Sequence, residues 1–379
     1  MGTWPEARRA LAVPLAALGM LAFGMLSTAP AADVRLNQIQ VIGSHNSYHI
    51  APSPAVRELI AKAGKGHAEG LEYTHRPLAE QFSDLGIRQI ELDLFADPRG
   101  GLYASPKARS ILTALGKDAG PDPNARGILS KPGFKVLHVP DVDFQSTTPT
   151  FIEALNQVRA WSRLHPRHVP ILILVECKAE SGAATKSVPF DADLMNRIDA
   201  EILEVFERSE VLTPDIVRGS FATLPEAIAK RGWPALDAVR GKVMFALDNE
   251  DRTRELYLDG HPALKDRLMF ATVEPEHPAA AWFKVNDPVG DFEKIRNLVR
   301  SGFLVRTRAD ANTAQARAND GSMRDRALAS GAQFVSTDYP EPNPAFSSYV
   351  VRLPGKVVAR SNPVSGDRSA KGDLEAERP

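Results

Sequence analysis

Short apolar and β-branched runs recur along this chain, and most of them end in polar residues of chemical use. The runs are 39–42, 87–95, 134–139, 169–175, 242–247, 268–273, 303–306 and 333–336. Several are continuous rather than alternating, the pattern of parallel strands buried on both faces. Helical patterns lie between many of them. From Thr148 and Pro149, a cap and a first helical residue, Ile152, Leu155, Val158, Trp161 and Leu164 keep near a 3–4 spacing. Others cover about 193–206, 291–299 and 324–328. Eight such β units with helices between them predict an α/β chain, a (β/α)8 TIM-type barrel with inserted loops. A doubly wound open sheet is the alternative, but no G-x-G-x-x-G follows the first run.

The expected barrel spans 33–353. Before it, Arg8 and Arg9 precede an apolar stretch that ends in Ala29-Pro30-Ala31, the features of a secretory signal peptide over 1–31. The apolar stretch is short for a membrane span, although a retained anchor is the other reading. Export to the periplasm or the medium follows. Two stretches read as insertions, about 98–133 and 179–241, and the polar segment 354–379 reads as a disordered tail. With 46 Lys and Arg against 47 Asp and Glu, there is no electrostatic reason to expect nucleic acid. The single cysteine, Cys177, excludes an intramolecular disulfide and a Cys-based zinc site.

In a barrel the C-terminal strand ends converge on one face. Here those ends carry His45-Asn46, Glu91-x-Asp93, His138, Glu176-Cys177-Lys178, Arg306-x-Arg308 and Asp338. Glu91 and Asp93 are two apart, so their side chains point to the same face. With the amide of Asn46 and the carboxylate of Glu176, they make an all-oxygen set suited to Ca²⁺ or Mg²⁺ rather than zinc. His45 and His138 would flank that ion. Converging carboxylates need a metal, protons or cations to be buried together.

The text Gly43-Ser44-His45-Asn46-Ser47-Tyr48, then Ile90-Glu91-Leu92-Asp93, then Gln333-Phe334-Val335-Ser336-Thr337-Asp338-Tyr339 resembles the phosphatidylinositol-specific phospholipase C superfamily. More narrowly it is similar to the bacterial calcium-dependent branch of these PLC-like phosphodiesterases. The resemblance implies His45 and His138 as catalytic histidines, with Asn46, Glu91, Asp93 and Glu176 as Ca²⁺ ligands. It implies a phosphoinositide or related phosphodiester substrate, attacked by the inositol 2-hydroxyl. A carboxylate among Glu91, Asp93 and Glu176 would take the hydroxyl proton, with His138 the leaving-group acid and His45 a positively charged stabiliser. Lys178 and Arg306 would hold phosphate or head group, or else serve as ion-pair partners inside the barrel.

His49 reads as an ordinary loop residue or, alternatively, as a support behind Asn46, and His165 and His168 as surface residues at a helix end. The insertion at 98–133 begins and ends beside the expected site and carries Leu102, Tyr103, Ile111, Leu112 and Leu115. It is either a lid or ridge in peripheral contact with membrane lipid, or a surface excursion. A monomer is expected. Two other functions stay open: a glycerophosphodiester phosphodiesterase, and a barrel that binds phosphate or lipid head groups without turnover.

Overall fold

The computed structural model describes residues 1–2, 33–179, 184–367 and 370–376, so the expected leader falls outside the described residues apart from its first two. The fold is that of the unit Asp33–Pro379. Its strands are β1 (Ile39–Ser44), β2 (Gln89–Phe95), β3 (Lys135–Val136), β4 (Ile171–Cys177), β5 (Val243–Leu247), β6 (Met269–Ala271), β7 (Trp282–Lys284), β8 (Leu304–Arg308), β9 (Phe334–Thr337) and β10 (Ala359–Ser361). Eight of them run in the order β6-β5-β4-β2-β1-β9-β8-β7 with parallel pairing throughout. This is a nearly closed parallel barrel with helices around it. No ladder joins β6 to β7. There Lys284 N donates to Thr272 Oγ1 at 2.9 Å across the seam.

Two strand assignments change. The run at 134–139 does not enter the barrel. Only Lys135 and Val136 are extended, and they pair antiparallel with Phe95 and Leu94 at the end of β2. Pro140 has no N–H to extend a ladder, and the chain closes a tight turn where Asp143 N donates to Val139 O at 2.8 Å. The barrel place is taken by β4, which pairs with β2 over Gln89–Leu94. The missing strand is β7. It is three residues long and follows a Pro-containing loop, so it shows no periodicity to read.

The helix expected from Thr148 starts later. Thr150 is its cap and accepts from Glu153 N, and the helix spans Phe151–Leu164. It buries Phe151, Leu155, Val158 and Trp161, each worth roughly 1.5–3 kcal/mol when removed from water. Gly43 in β1 has a specific cause. A Cβ there would overlap the Gln89 side chain, whose Oε1 would lie only 1.9 Å away. The close approach lets β1 and β2 bring their ends together.

The segment from Pro354 is not a disordered tail over its described residues. β10 pairs antiparallel with the first half of β1. Ala359 is fully buried, and Leu374 is nearly so. Glu375 accepts from the guanidinium of Arg88 and from Val169 N. Scattered apolar residues among polar ones hid this in the sequence, because each anchors singly rather than with a period. Replacing Glu375 with Ala would leave Arg88, 3% exposed, without its carboxylate. Arg88 keeps the carbonyls of Phe82 and Ile87. The expected loss is therefore about 2–3 kcal/mol, below the ~3–5 of a broken fully buried pair. Urea denaturation measures it, and an unchanged midpoint would mean that the segment is not docked.

Candidate active site

β2 and β4 bring three carboxylates together. Asp93 lies opposite Glu176 in the parallel register, and Glu91 shares the Asp93 face. Oxygens of Glu91, Asp93 and Glu176 lie within 4.8 Å of one another. Asn46 sits just past β1 with φ 43°, a left-handed conformation that Asn tolerates better than most residues. The loop that carries it is clipped to β2. Ser47 N donates to Glu91 O at 3.0 Å, and Glu91 N donates to Ser47 Oγ at 2.8 Å. Asn46 Nδ2 donates to the Tyr73 hydroxyl at 3.1 Å, while its buried Oδ1 has no hydrogen-bond partner.

The charge of this cluster is incompletely met. Arg306 Nη2 donates to Glu91 Oε2 at 2.5 Å. Lys178 Nζ stands 2.9 Å from Glu176 Oε1 and 3.2 Å from Asp93 Oδ2. Even so, neither oxygen of Asp93 accepts a hydrogen bond of good geometry. Burial pushes Glu91 up to about 8, against the pull of Arg306, and Asp248 and Asp93 add to the rise. Burial pushes Asp93 up to about 8 as well, against Lys178, with Glu176 adding to the rise. Unpartnered carboxylate and amide oxygens on neighbouring strands are the donor set that a hard, oxygen-loving divalent cation requires. The residues present fit such an ion.

Two histidines face the same cavity of about 590 Å³, which Asn46, Arg308 and Asp338 also line. His45 Nδ1 lies 2.7 Å from Asp338 Oδ1, and His45 Nε2 lies 3.2 Å from Arg308 Nη1 and 3.5 Å from Glu91 Oε1. Arg308 Nη2 also donates to Asp338 Oδ2 at 3.1 Å. Burial, reinforced by Arg308, takes His45 down to about 3 despite Asp338. Asp338 is held below the usual carboxylate range, because His45 and Arg308 outweigh its burial. Burial and Arg308 thus work against the positive charge expected of His45.

His138 is built differently. It follows β3 in the turn, and its Nδ1 lies 2.7 Å from Asp143 Oδ2. The same oxygen lies 2.8 Å from His49 Nε2, and His49 Nδ1 reaches the Tyr73 carbonyl at 3.0 Å. His49 lies in the loop after β1 but is fully buried and stacks on Tyr73, the partner of Asn46, so it is no ordinary loop histidine. Burial would raise Asp143, but His49 and His138 hold it low. Asp143 is thus a fixed anion that orients His138.

All six residues proposed from the sequence as catalytic or metal-binding come to one end of the barrel. Lys178 and Arg306 are there too, but both are engaged by carboxylates. Asp143, Asp338, Arg308, Tyr73 and His49 complete the site, and none of them was given a catalytic or metal-binding role from the sequence. Two left a signal: Arg308 is two residues from Arg306 and shares its strand face, and Asp338 ends β9. His165 is exposed and caps its helix end through the Trp161 carbonyl. His168 is 2% exposed and bonded to Ser162, which corrects its placement at the surface.

The sequence pattern of the family described as "Phosphoinositide phospholipase C, Ca2+-dependent" matches residues 34–363. Among solved structures, the chain is similar to the calcium-dependent phosphoinositol-specific phospholipase C of a Pseudomonas species, at 14% identity and TM-score 0.52, over 87% of this chain and 96% of that one. It is also similar to the Ca²⁺-dependent phosphatidylinositol-specific phospholipase C of Streptomyces antibioticus, at 18% identity and TM-score 0.49, over 81% and 95%. A search among curated proteins finds no match. Because the match covers most of the chain, from β1 through β10, this protein belongs to the calcium-dependent phosphoinositide phospholipase C family.

Proposed function

We propose that this enzyme cleaves phosphatidylinositol-type lipids to diacylglycerol and a cyclic inositol phosphate. The observation that carries the reading is one cavity faced by two histidine–carboxylate pairs, His45–Asp338 and His138–Asp143. Asp338 accepts from Nδ1 of His45, which leaves Nε2 as the ring's acceptor, beside Arg308 at the cavity. That atom takes the proton of the inositol 2-hydroxyl as its oxygen attacks phosphorus, and Asp338 stabilises the imidazolium that forms. Arg308, beside Nε2, offers N–H groups to the phosphate oxygens. His138, protonated and oriented by Asp143, delivers a proton to the glycerol oxygen as the bond from phosphorus to that oxygen breaks. Phosphorus NMR of the products from phosphatidylinositol tests the reaction. A product set that holds only an open phosphate from the first turnover would contradict it.

The expected holders of calcium are Asn46, Glu91, Asp93 and Glu176. When bound, the ion supplies positive charge that lowers the pKa of a hydroxyl and offsets charge on phosphate oxygens. Chelator should abolish turnover, and calcium should restore it better than magnesium, because an irregular set of this kind tolerates the larger ion. The carboxylates add a pH signature. Metal-free, Glu91 and Asp93 keep their protons to about pH 8, whereas an unfolded chain releases them near 4. The folded state then binds more protons in this window, so its stability falls as pH rises from about 5 to 8. Holding a calcium ion would require Glu91 and Asp93 to give up those protons. Melting temperatures across that range should therefore drop more steeply in chelator than in calcium, and equal slopes would remove these residues from the ion site.

His45→Ala and His138→Ala should each lower turnover on the order of 10²–10⁴ while calcium binding survives. His165→Ala, at the exposed helix end, serves as the control and should stay near wild type. Wild-type turnover in His138→Ala would place the leaving-group acid elsewhere.

We also propose export, supported by the N-terminal sequence, and contact with a lipid surface through the insertion. No helix among the described residues is long and apolar enough to cross a membrane. Within the insertion, the helix Lys107–Ala114 turns Ala108 and Leu112 inward against Val56 and Ile60. Ile111 and Leu115 point outward, 47% and 63% exposed. Asp141, between His138 and Asp143, accepts from Lys107 N through its side chain and from Ala108 N through its carbonyl. The ridge is thus anchored to the turn that carries a catalytic histidine. Ile111→Ser with Leu115→Ser should cut hydrolysis of vesicle phosphatidylinositol several-fold and leave a soluble inositol phosphodiester unaffected. Equal losses on both substrates would make the ridge structural only.

A further inference from the structure

A second cavity, about 770 Å³, lies away from the histidines, between the end of the insertion and the helices Phe151–Leu164 and Ala192–Val205. Ile128, Pro132, Phe134, Ile152 and Leu194 give it apolar walls. Its acidic groups are unusual. Glu201 sits on the inner face of its helix, in the row of Ile198, Ile202 and Val205, and is 1% exposed. Its Oε1 takes only a long bond from Arg197 Nε, at 3.4 Å, and its Oε2 has no partner. Glu153 Oε2 is also buried without a partner, although Oε1 of that residue accepts from Arg126.

Four carboxylates line the cavity, those of Asp97, Glu153, Glu201 and Glu204, against two cations, Lys131 and Arg197. Arg197 is half-exposed and already shared between Glu201 and Glu204. Lys135 lies beneath, but its ammonium is taken by Asp97 and the carbonyls of Lys131 and Gly133. A buried carboxylate oxygen without a donor is costly, and a bound donor removes that cost. Apolar walls with open carboxylate oxygens match a molecule that is apolar at one end and a hydrogen-bond-donating cation at the other. A primary ammonium suits better than a quaternary one, since it can donate hydrogen bonds to the open oxygens.

We infer that this outer-wall cavity binds a primary ammonium carried on a short apolar chain, with Glu201 and Glu153 as its acceptors. Calorimetric titration of the full-length enzyme with hexylammonium tests it. One molecule should bind at about 1 mM or tighter. Hexyltrimethylammonium should bind more weakly, and hexanoate not at all. Glu201→Gln should weaken hexylammonium roughly 10–100-fold. Leu194→Trp, which fills the cavity and keeps Glu201, should abolish binding; circular dichroism and turnover on a soluble inositol phosphodiester show that each variant is folded. No binding, equal binding by wild type and Glu201→Gln, or equal binding of hexanoate would overturn the inference. A dimer that Leu194→Trp dissolves would overturn it too, by giving the cavity to a second copy. If hexylammonium binds as expected, vesicles identify the source of the amine. Stronger retention on phosphatidylethanolamine than on phosphatidylcholine, lost in Glu201→Gln, would show a lipid head group. Equal retention would show a soluble amine.

Discussion

The two-residue repeat of β2 places Glu91 and Asp93 on one face of a strand whose every residue is buried. Parallel pairing with β4 then brings Glu176 opposite Asp93. Three acidic groups are forced together, and burial, with the neighbouring charges, raises the proton affinity of Glu91 and Asp93. Arg306 and Lys178 answer part of that charge and leave the rest open. The remaining oxygens, with the unpartnered amide oxygen of Asn46, create a demand for a divalent ion that no side chain of the cluster meets. Much of the surrounding architecture serves to hold these groups in spite of their repulsion. The Ser47–Glu91 clips lock the Asn46 loop, and Gly43 lets Gln89 pack against β1.

The histidines depend on the same contrast between charge and burial. Each is attached to a carboxylate that stays ionised, but the surroundings differ. Arg308 stands against His45 Nε2 and, with burial, suppresses its protonation. No guanidinium lies against His138, and its partner Asp143 is itself braced by buried His49. The two imidazoles are thereby set in different electrostatic surroundings. The difference comes from neighbours on β8 and in the turn after β3, not from the histidines themselves.

Segments outside the barrel path matter as much as its strands. β3 pairs with the end of β2, next to Asp93, and leads directly into the turn that carries His138 and Asp143. Asp141 ties that turn to the insertion helix, and Thr185 also donates to Asp141. β10 covers the first half of β1, leaving its second half free to meet β2 at Gly43 and Gln89. A chain ending before Pro354 would lack both that strand and the carboxylate that holds Arg88.

The amino-acid sequence determined the parts that rest on local periodicity. Continuous apolar runs marked most of the barrel strands, and alternation along one strand put Glu91 and Asp93 on one face. The ordered polar residues at strand ends named both histidines and the oxygen set. Tertiary structure alone decided whatever depends on a meeting of distant residues. The exchange of the 134–139 run for Trp282–Lys284 is one case, because a three-residue strand has no period, whereas a longer run can leave the sheet at a turn. Asp338 beside His45 and Asp143 shared by His49 and His138 are others. Nothing in the spacing of a carboxylate and an imidazole 293 residues apart reports their 2.7 Å contact. The lowered proton affinity of His45 was equally out of reach, because it is set by burial and by the Arg308 guanidinium, and both exist only once the barrel has closed.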